Sequence, residues 1–411
     1  MIVSLVEQHA SVAAFLWFRR EGAVRAPHYT LASLCELDER LEAQIDGLRV
    51  AGAEGWKAAS AALAEERNGG LFVALVLALE GRQIRGIARL LDLAAEEPAR
   101  LDELVAALGW TPWEALAPLL PGFLDVGCPP LLRRIGLAGC AAHRRDPGAA
   151  LEQGLYEGDV GLRSRALRAA GELYRADLAA QVAHDMSAAD EACRFWATWT
   201  SGLFGHPGAV EGLWPFAVGG GPFAERAVSL AMRLVDPAAG LGWLEALGAR
   251  PECARFACLG AAALADAGAL QFLLRAARVP ALARIAAEGV SAITGLAVKG
   301  ALAGKAPEGF SAGPSEDPGD DNVAMDPDEH LPWPDVGALT ARCQAAIAGM
   351  PRGVRHLGGR PMTADVLREV VREGTQPRRA GAAEELAVRT RKGPVFEVRA
   401  PGARQRAALG G

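Results

Sequence analysis

Tyrosine is almost missing from this sequence, with three in 411 residues, and lysine and asparagine are scarce as well. Alanine and leucine fill the gap in a chain that is 51% hydrophobic and 22% charged. Ala and straight-chain residues lose little on helix formation, so the balance favours helix over sheet. Basic charge is in short supply too. The formal net charge of −6 is not that of the basic body that non-specific phosphate binding requires, which disfavours nucleic acid as a partner.

Metal and redox signatures are absent. Cys35, Cys128, Cys140, Cys193, Cys253, Cys258 and Cys343 never fall at C-x-x-C spacing, and no two of the seven His stand at i, i+4, the spacings by which a zinc or redox site announces itself. The thiols sit in apolar helical text such as Arg255-Phe-Ala-Cys258-Leu and read as buried groups of a reducing compartment. No metal or cofactor is expected. A long apolar run is also lacking: residues 69–79 fall well short of the ~20 needed to cross a bilayer. Residues 1–9 carry Glu7 and no cationic n-region, so no secretory signal is expected and the chain reads as cytoplasmic. Ser-His-Asp, H-E-x-x-H and Walker patterns do not occur; Gly300-Ala-Leu-Ala-Gly304-Lys305 has the wrong spacing and no following Ser or Thr.

What the sequence does have is a repeat. Arg134-Ile-Gly-Leu-Ala, Arg165-Ala-Leu-Arg-Ala, Arg194-Phe-Trp-Ala-Thr, Arg226-Ala-Val-Ser-Leu, Arg255-Phe-Ala-Cys-Leu and Arg284-Ile-Ala-Ala-Glu each open an apolar helix, at spacings of 31, 29, 32, 29 and 29 residues. Small turns follow most of them: Asp146-Pro147-Gly148, Ala176-Asp177, His206-Pro207-Gly208, Asp236-Pro237 and Asp266-Ala-Gly268. Gly and Asp there end one helix and Pro starts the next. The pattern predicts an all-α chain, an α-solenoid of HEAT-like helical hairpins about 30 residues long, each hairpin needing its neighbours to bury its inner face. The recurrent Arg reads first as a staple on the preceding unit or its acidic turn, and alternatively as a grip on an acidic ligand. Trp196, Trp199 and Leu203 follow i, i+3, i+7, which is core spacing unless the face proves exposed.

The array is expected over residues 71–302, with a helical cap at 1–70. In the cap, Leu37, Leu41, Ile45 and Leu48 form one stripe, while Asp38, Glu42 and Asp46 recur on what reads as a solvated face, offset by Arg40 and Arg49. Residues 303–335 carry nine acids against Lys305 and read as a Gly/Pro-rich loop or linker; residues 336–411 carry fourteen Lys and Arg against six acids and read as a basic helical region. Opposite charges in adjacent segments invite the two to dock on each other, with a basic protein partner as the alternative for the acidic segment. Thr363 is placed to cap a helix through Val371, Thr375-Gln-Pro377 starts another, and Gly393-Pro394-Val-Phe-Glu-Val reads as an extended arm.

Several phrases together resemble a bacterial family of HEAT-like proteins of roughly 400 residues: Asp38-Glu-Arg-Leu-Glu-Ala-Gln-Ile-Asp with Gly55-Trp56, the Arg-rich Leu162-Arg-Ser-Arg-Ala-Leu-Arg-Ala-Ala-Gly171, Leu331-Pro-Trp-Pro334, and Gly374-Thr-Gln-Pro-Arg-Arg379. The likeness runs nearly end to end, with departures at Gln44, Ile45 and residues 287–290. Members of that family tend to be encoded beside type VI secretion components. The resemblance implies a cytoplasmic co-chaperone or adaptor for a secretion effector or spike-tip protein, with no enzymatic activity. Candidate partner-binding residues are Arg165, Arg194, Trp196, Trp199, Arg226 and Arg255 on the array, and Arg378 and Arg379 in the basic region. Two enzymatic alternatives share the scaffold: a HEAT-like glycosylase acting on alkylated DNA bases, with Trp196, Trp199 and Asp190 in the active-site parts, and a bilin lyase, for which no residue marks a chromophore site.

Overall fold

Runs of Ala and Leu interrupted by Gly, Pro and Asp give short helices, and helix makes up 70% of the chain in the computed structural model, with almost no strand. Residues 2–65, 68–314, 319 and 324–410 are described. The chain is all-α, and no helix among the described residues is long and apolar enough to cross a membrane. It divides into two compact units: residues up to Phe204 with Arg372–Ala383 and those from Arg391 on, and Gly205–Val371 with Glu384–Thr390.

The first unit is built around the helix Gly70–Glu80, in which every residue from Gly70 to Leu79 is buried. A helix apolar on all sides has to be enclosed, and Val3–Ala23, Ala53–Glu65, Ile84–Glu96 and Leu101–Trp110 pack against it. Its N-terminus is therefore out of reach of water. Glu103 takes the place of solvent: one carboxylate oxygen accepts from the backbone N–H groups of Gly69 (3.0 Å), Leu71 (3.1 Å) and Phe72 (3.3 Å). The buried cluster runs from Val6 to Cys140, across the expected boundary at residue 70. Beyond it, Val160–Glu172 packs between Pro130–Ala142 and Glu191–Phe204.

In Leu31–Ala51 the stripe of Leu37, Leu41, Ile45 and Leu48 is buried, as its spacing predicts. The carboxylate face differs from expectation at Asp38, while Asp46 stays exposed as expected. Asp38 is buried, bonded to Arg20 at 2.6 Å and to the backbone N–H of Gly402 at 2.7 Å. Glu42 accepts from the Trp110 indole, and Asp46 pairs with Arg49. The reason at Asp38 is that the C-terminal segment lies over this helix, so a position that would be solvated in an isolated cap is covered. Gly402 lies so close to Cys35 that any side chain there would collide with its sulfur.

In the second unit Ala254–Leu264 packs between Ala224–Leu234 and Pro280–Thr294. A two-residue antiparallel ladder, His356–Leu357 with Arg360–Pro361, turns through Gly358 (φ 60°) and Gly359 (φ 78°), the paired positive φ that a tight hairpin demands. Just before it Arg355 donates to the carbonyls of Met232 (2.8 Å), Leu264 (2.9 Å) and Val235 (2.7 Å). A single guanidinium thus satisfies the open C-terminal ends of two neighbouring helices. Thr363 caps Ala364–Glu373 as expected, accepting from Val366 N–H at 3.3 Å.

The predicted docking of the acidic segment on the basic one is not what the described residues show. Asp326 and Asp328 instead hold repeat arginines: Arg284 bonds Asp326 at 2.5 Å and the Asp328 carbonyl at 2.9 Å, and Arg255 bonds the Asp328 carboxylate at 2.7 Å. Glu316, Asp317, Asp320 and Asp321 lie outside the described residues. The Arg284 side chain is 7% exposed, and a charge-assisted bond formed away from water is a strong one.

Candidate functional site

Within the first unit, six separate stretches converge on a cavity of about 200 Å³, among them the helix Gly70–Glu80 through Phe72. Trp17, Arg20 and Glu21 come from the helix Val3–Ala23, Trp110 from the end of Leu101–Trp110, and Arg134 and Ile135 from Pro130–Ala142. Arg144 follows that helix, Arg165, Arg168 and Glu172 come from Val160–Glu172, and Glu397, Arg399 and Arg404 from the C-terminal segment. Seven arginines line it against four carboxylates, over an aromatic wall of Trp17, Phe72 and Trp110. Trp17 and Phe72 stack at 5.4 Å, Phe72 meets Trp110 edge-on at 5.8 Å, and Arg20 lies over the Trp110 ring at 5.2 Å.

Most of this charge is internally paired. Glu172 receives Arg165 and Arg168, each at 2.7 Å. Burial alone would raise its pKa, but Arg165, Arg168 and Arg144 outweigh burial and hold the carboxyl well below its usual range. Arg144 pairs with Glu397 at 3.0 Å and donates to the Val395 carbonyl at 2.5 Å, while the Val395 N–H returns a bond to the Glu172 carbonyl at 3.0 Å. Arg399 pairs with Glu21 at 2.5 Å, and Arg20 donates to the carbonyls of Arg399 and Ala400. The residues expected to form an extended arm are thus tied down at Val395 and Glu397, and Glu397 lines the cavity together with Arg399 and Arg404 beyond it. Arg404 donates to His143 Nδ1 at 2.9 Å, and burial followed by this cation lowers the His143 pKa to about 4. The imidazole is neutral near pH 7, and its Nε2–H donates to the Leu108 carbonyl at 2.9 Å.

Three donors are left over. Arg134 has no hydrogen bond or ion pair among the described residues, Arg165 Nη1 has no partner although buried, and neither has the indole N–H of Trp17, a residue only 5% exposed. Arg134 is half-buried, but the other two are enclosed, and buried donors without acceptors are rare in folded proteins and call for an explanation.

Of the candidate partner-binding residues only Arg165 lines this cavity, joined by Arg134, the first of the recurrent arginines. Trp196 (9% exposed) and Trp199 (5%) are core, edge-on to each other at 5.5 Å, with Arg168 over the Trp196 ring at 4.7 Å. Packing, not partner contact, occupies their faces. Arg194 donates to the carbonyls of Ala188 and Ala189 in the turn before its own helix, and Arg379 is fully buried, bonded to Gln376 and Gln405. Arg378 is half-buried; Arg226 is exposed and Arg255 faces Asp328, both in the second unit. Asp190, which a glycosylase reading would make catalytic, accepts the Cys193 N–H at 2.8 Å at the start of Glu191–Phe204 and acts as a helix cap. Sequence reasoning passed over Arg20, Arg144, Arg168, Arg399 and Arg404. The one local signal was Arg168, three residues beyond Arg165 in the Arg-rich helix.

A second cavity of about 300 Å³, in the second unit, is lined by Phe310, Trp333, Arg284 and Asp326. Its cation is already held by Asp326 and stacks on Trp333 at 4.7 Å. Among the described residues no group of three or more His, Cys, Asp and Glu is placed to hold a metal ion. Comparison with protein-family models, with curated proteins and with solved structures yields no match.

Proposed function

We propose that the chain is a non-enzymatic protein-binding scaffold, a HEAT-like α-solenoid that serves as a cytoplasmic co-chaperone or adaptor for a type VI secretion effector or spike protein. The observation that carries the scaffold reading is the packing order of the helices that contain the recurrent arginines. In the first unit the helices of Arg134, Arg165 and Arg194 pack in that order, and in the second those of Arg226, Arg255 and Arg284 do the same. The partner helices of the hairpins, such as Ala149–Leu155, Pro237–Gly248 and Leu270–Ala276, fall between them in the chain. Hairpins stacked in sequence bury a continuous core and leave long faces for a partner, with no need of a chemical centre. The secretion role rests on the resemblance of the phrases around Asp38, Arg165, Trp333 and Arg378.

The test is cross-linked pull-down of the tagged full chain from its native cytosol, paired with an export assay in cells lacking the chain. Recovery of a spike-tip protein or effector, together with loss of that effector's export, is the expected result. Unchanged export with no secretion component recovered would rule the adaptor role out.

A further inference from the structure

We infer that the arginine-lined cavity of the first unit is a binding site for a carboxylate carried on a short apolar body. Glu172, Glu21 and Glu397 are matched to Arg165 with Arg168, to Arg399 and to Arg144, and the remaining carboxylate, Asp102, is exposed. After those pairs are made, Arg134, Arg165 Nη1 and the Trp17 indole N–H still lack an acceptor. A guanidinium and an indole N–H, donors only, can be satisfied by nothing but an acceptor. Two cations among three open donors select an anionic one.

The walls decide the rest of the ligand. Leu101, Val105 and Trp110, all partly exposed, supply apolar surface in the lining, which a bare inorganic anion would leave unused. The volume of about 200 Å³ lies below the range of ordinary drug-sized pockets, so the site admits a charged head and a short branched or aromatic tail and little more. A free short-chain carboxylic acid and the C-terminal residue of a peptide share this chemistry. The site also depends on the C-terminal segment, because Arg399 and Arg404 form part of its wall. The inference is independent of the adaptor reading: either can fail while the other stands.

The experiment uses the full chain at neutral pH and constant ionic strength, with calorimetry and thermal shift as readouts. The probes are 4-methylvalerate, a tetrapeptide ending in leucine as free acid, the same peptide as C-terminal amide, and inorganic phosphate. Saturable binding of the free acid, the peptide acid or both is expected, with none by the amide. Whichever acid binds identifies the source of the carboxylate. Arg134→Gln removes a side chain with no partner to lose, so it should leave the melting temperature unchanged while weakening binding by at least about tenfold, the scale of a charge-assisted hydrogen bond. Trp17→Phe keeps the ring stack, removes the N–H and should weaken binding by a few-fold. No saturable binding by either acid, equal binding by the amide, binding by phosphate alone, or affinity unchanged in Arg134→Gln would each overturn the assignment.

Discussion

Replacing Glu172 with Gln tests whether the charge cluster around the cavity holds the first unit together. Glu172 is 8% exposed and accepts from two guanidiniums at 2.7 Å. Removing the charge strands Arg165 and Arg168 beside Arg144. Breaking a buried ion pair at one partner costs about 3–5 kcal/mol. The glutamine oxygen keeps one of the two bonds, worth about 1 kcal/mol, so a loss of roughly 2–4 kcal/mol is expected from these terms. For a unit of this size that corresponds to a fall in melting temperature of roughly 4–16 °C. The pH dependence carries the sharper test. The folded-state pKa of Glu172 lies below the ordinary value of 4.5, so its contribution is fully present above that value and is lost as pH falls through the folded pKa. The gap in stability between wild type and variant, measured by urea melts from pH 7 down to pH 4, should be widest near neutrality and start to narrow at the acid end. Other carboxylates titrate in both proteins and drop out of the difference. A variant as stable as wild type at pH 7, or a gap that widens on acidification, would refute the reasoning.

Further expectations rest on single contacts. Glu103→Ala leaves three N–H groups of a buried helix start without an acceptor and should cost about 3 kcal/mol or more in urea melts; a loss under about 1 kcal/mol would mean that water reaches the site. Arg355→Met keeps the aliphatic stem and removes the bonds to Met232, Leu264 and Val235. It should speed amide hydrogen exchange selectively at residues 351–362, the segment that this anchor docks, and uniform exchange across the second unit would count against a local role. Burial raises the thiols of Cys140 and Cys343 to about 11 and that of Cys258 to about 12, while Cys128 is partly exposed. Iodoacetamide at pH 8 should therefore label Cys128 first in the native chain, as read by peptide mass mapping.

Element type was legible in the sequence because it depends on local chemistry. The stripe from Leu37 to Leu48, the Thr363 cap and the six arginine-bearing helices all stand where spacing and capping residues put them. The turns were read correctly as places but not as mechanisms. Asp236 and Asp266 do not close the preceding helix; each accepts an N–H two residues on, at Ala238 and Gly268, and so opens the next. The burial of Asp38 could not be read at all. A helix period distinguishes a buried stripe from the rest of the surface, but a second covered side appears only when residues 399–402 return from the far end of the chain to cover it.

The same distinction explains why the candidate site was so poorly foreshadowed. Six arginines recur at nearly one phase of the repeat, and the fold gives them different surroundings. Arg165 meets a carboxylate of its own helix, Arg194 meets carbonyls, Arg255 and Arg284 meet Asp328 and Asp326, Arg226 is exposed, and Arg134 has no bonded partner among the described residues. Recurrence fixes where each backbone sits, whereas a guanidinium on a long flexible stem takes its partner from whatever tertiary neighbour lies within reach. A shared phase is therefore a property of the architecture and cannot by itself mark a binding surface. What separates Arg134 and Arg165 from the other four is a cavity closed by the C-terminal segment in which donors outnumber acceptors. That imbalance exists only in three dimensions, and it selects two residues out of six for a role that the repeat would have assigned to all of them.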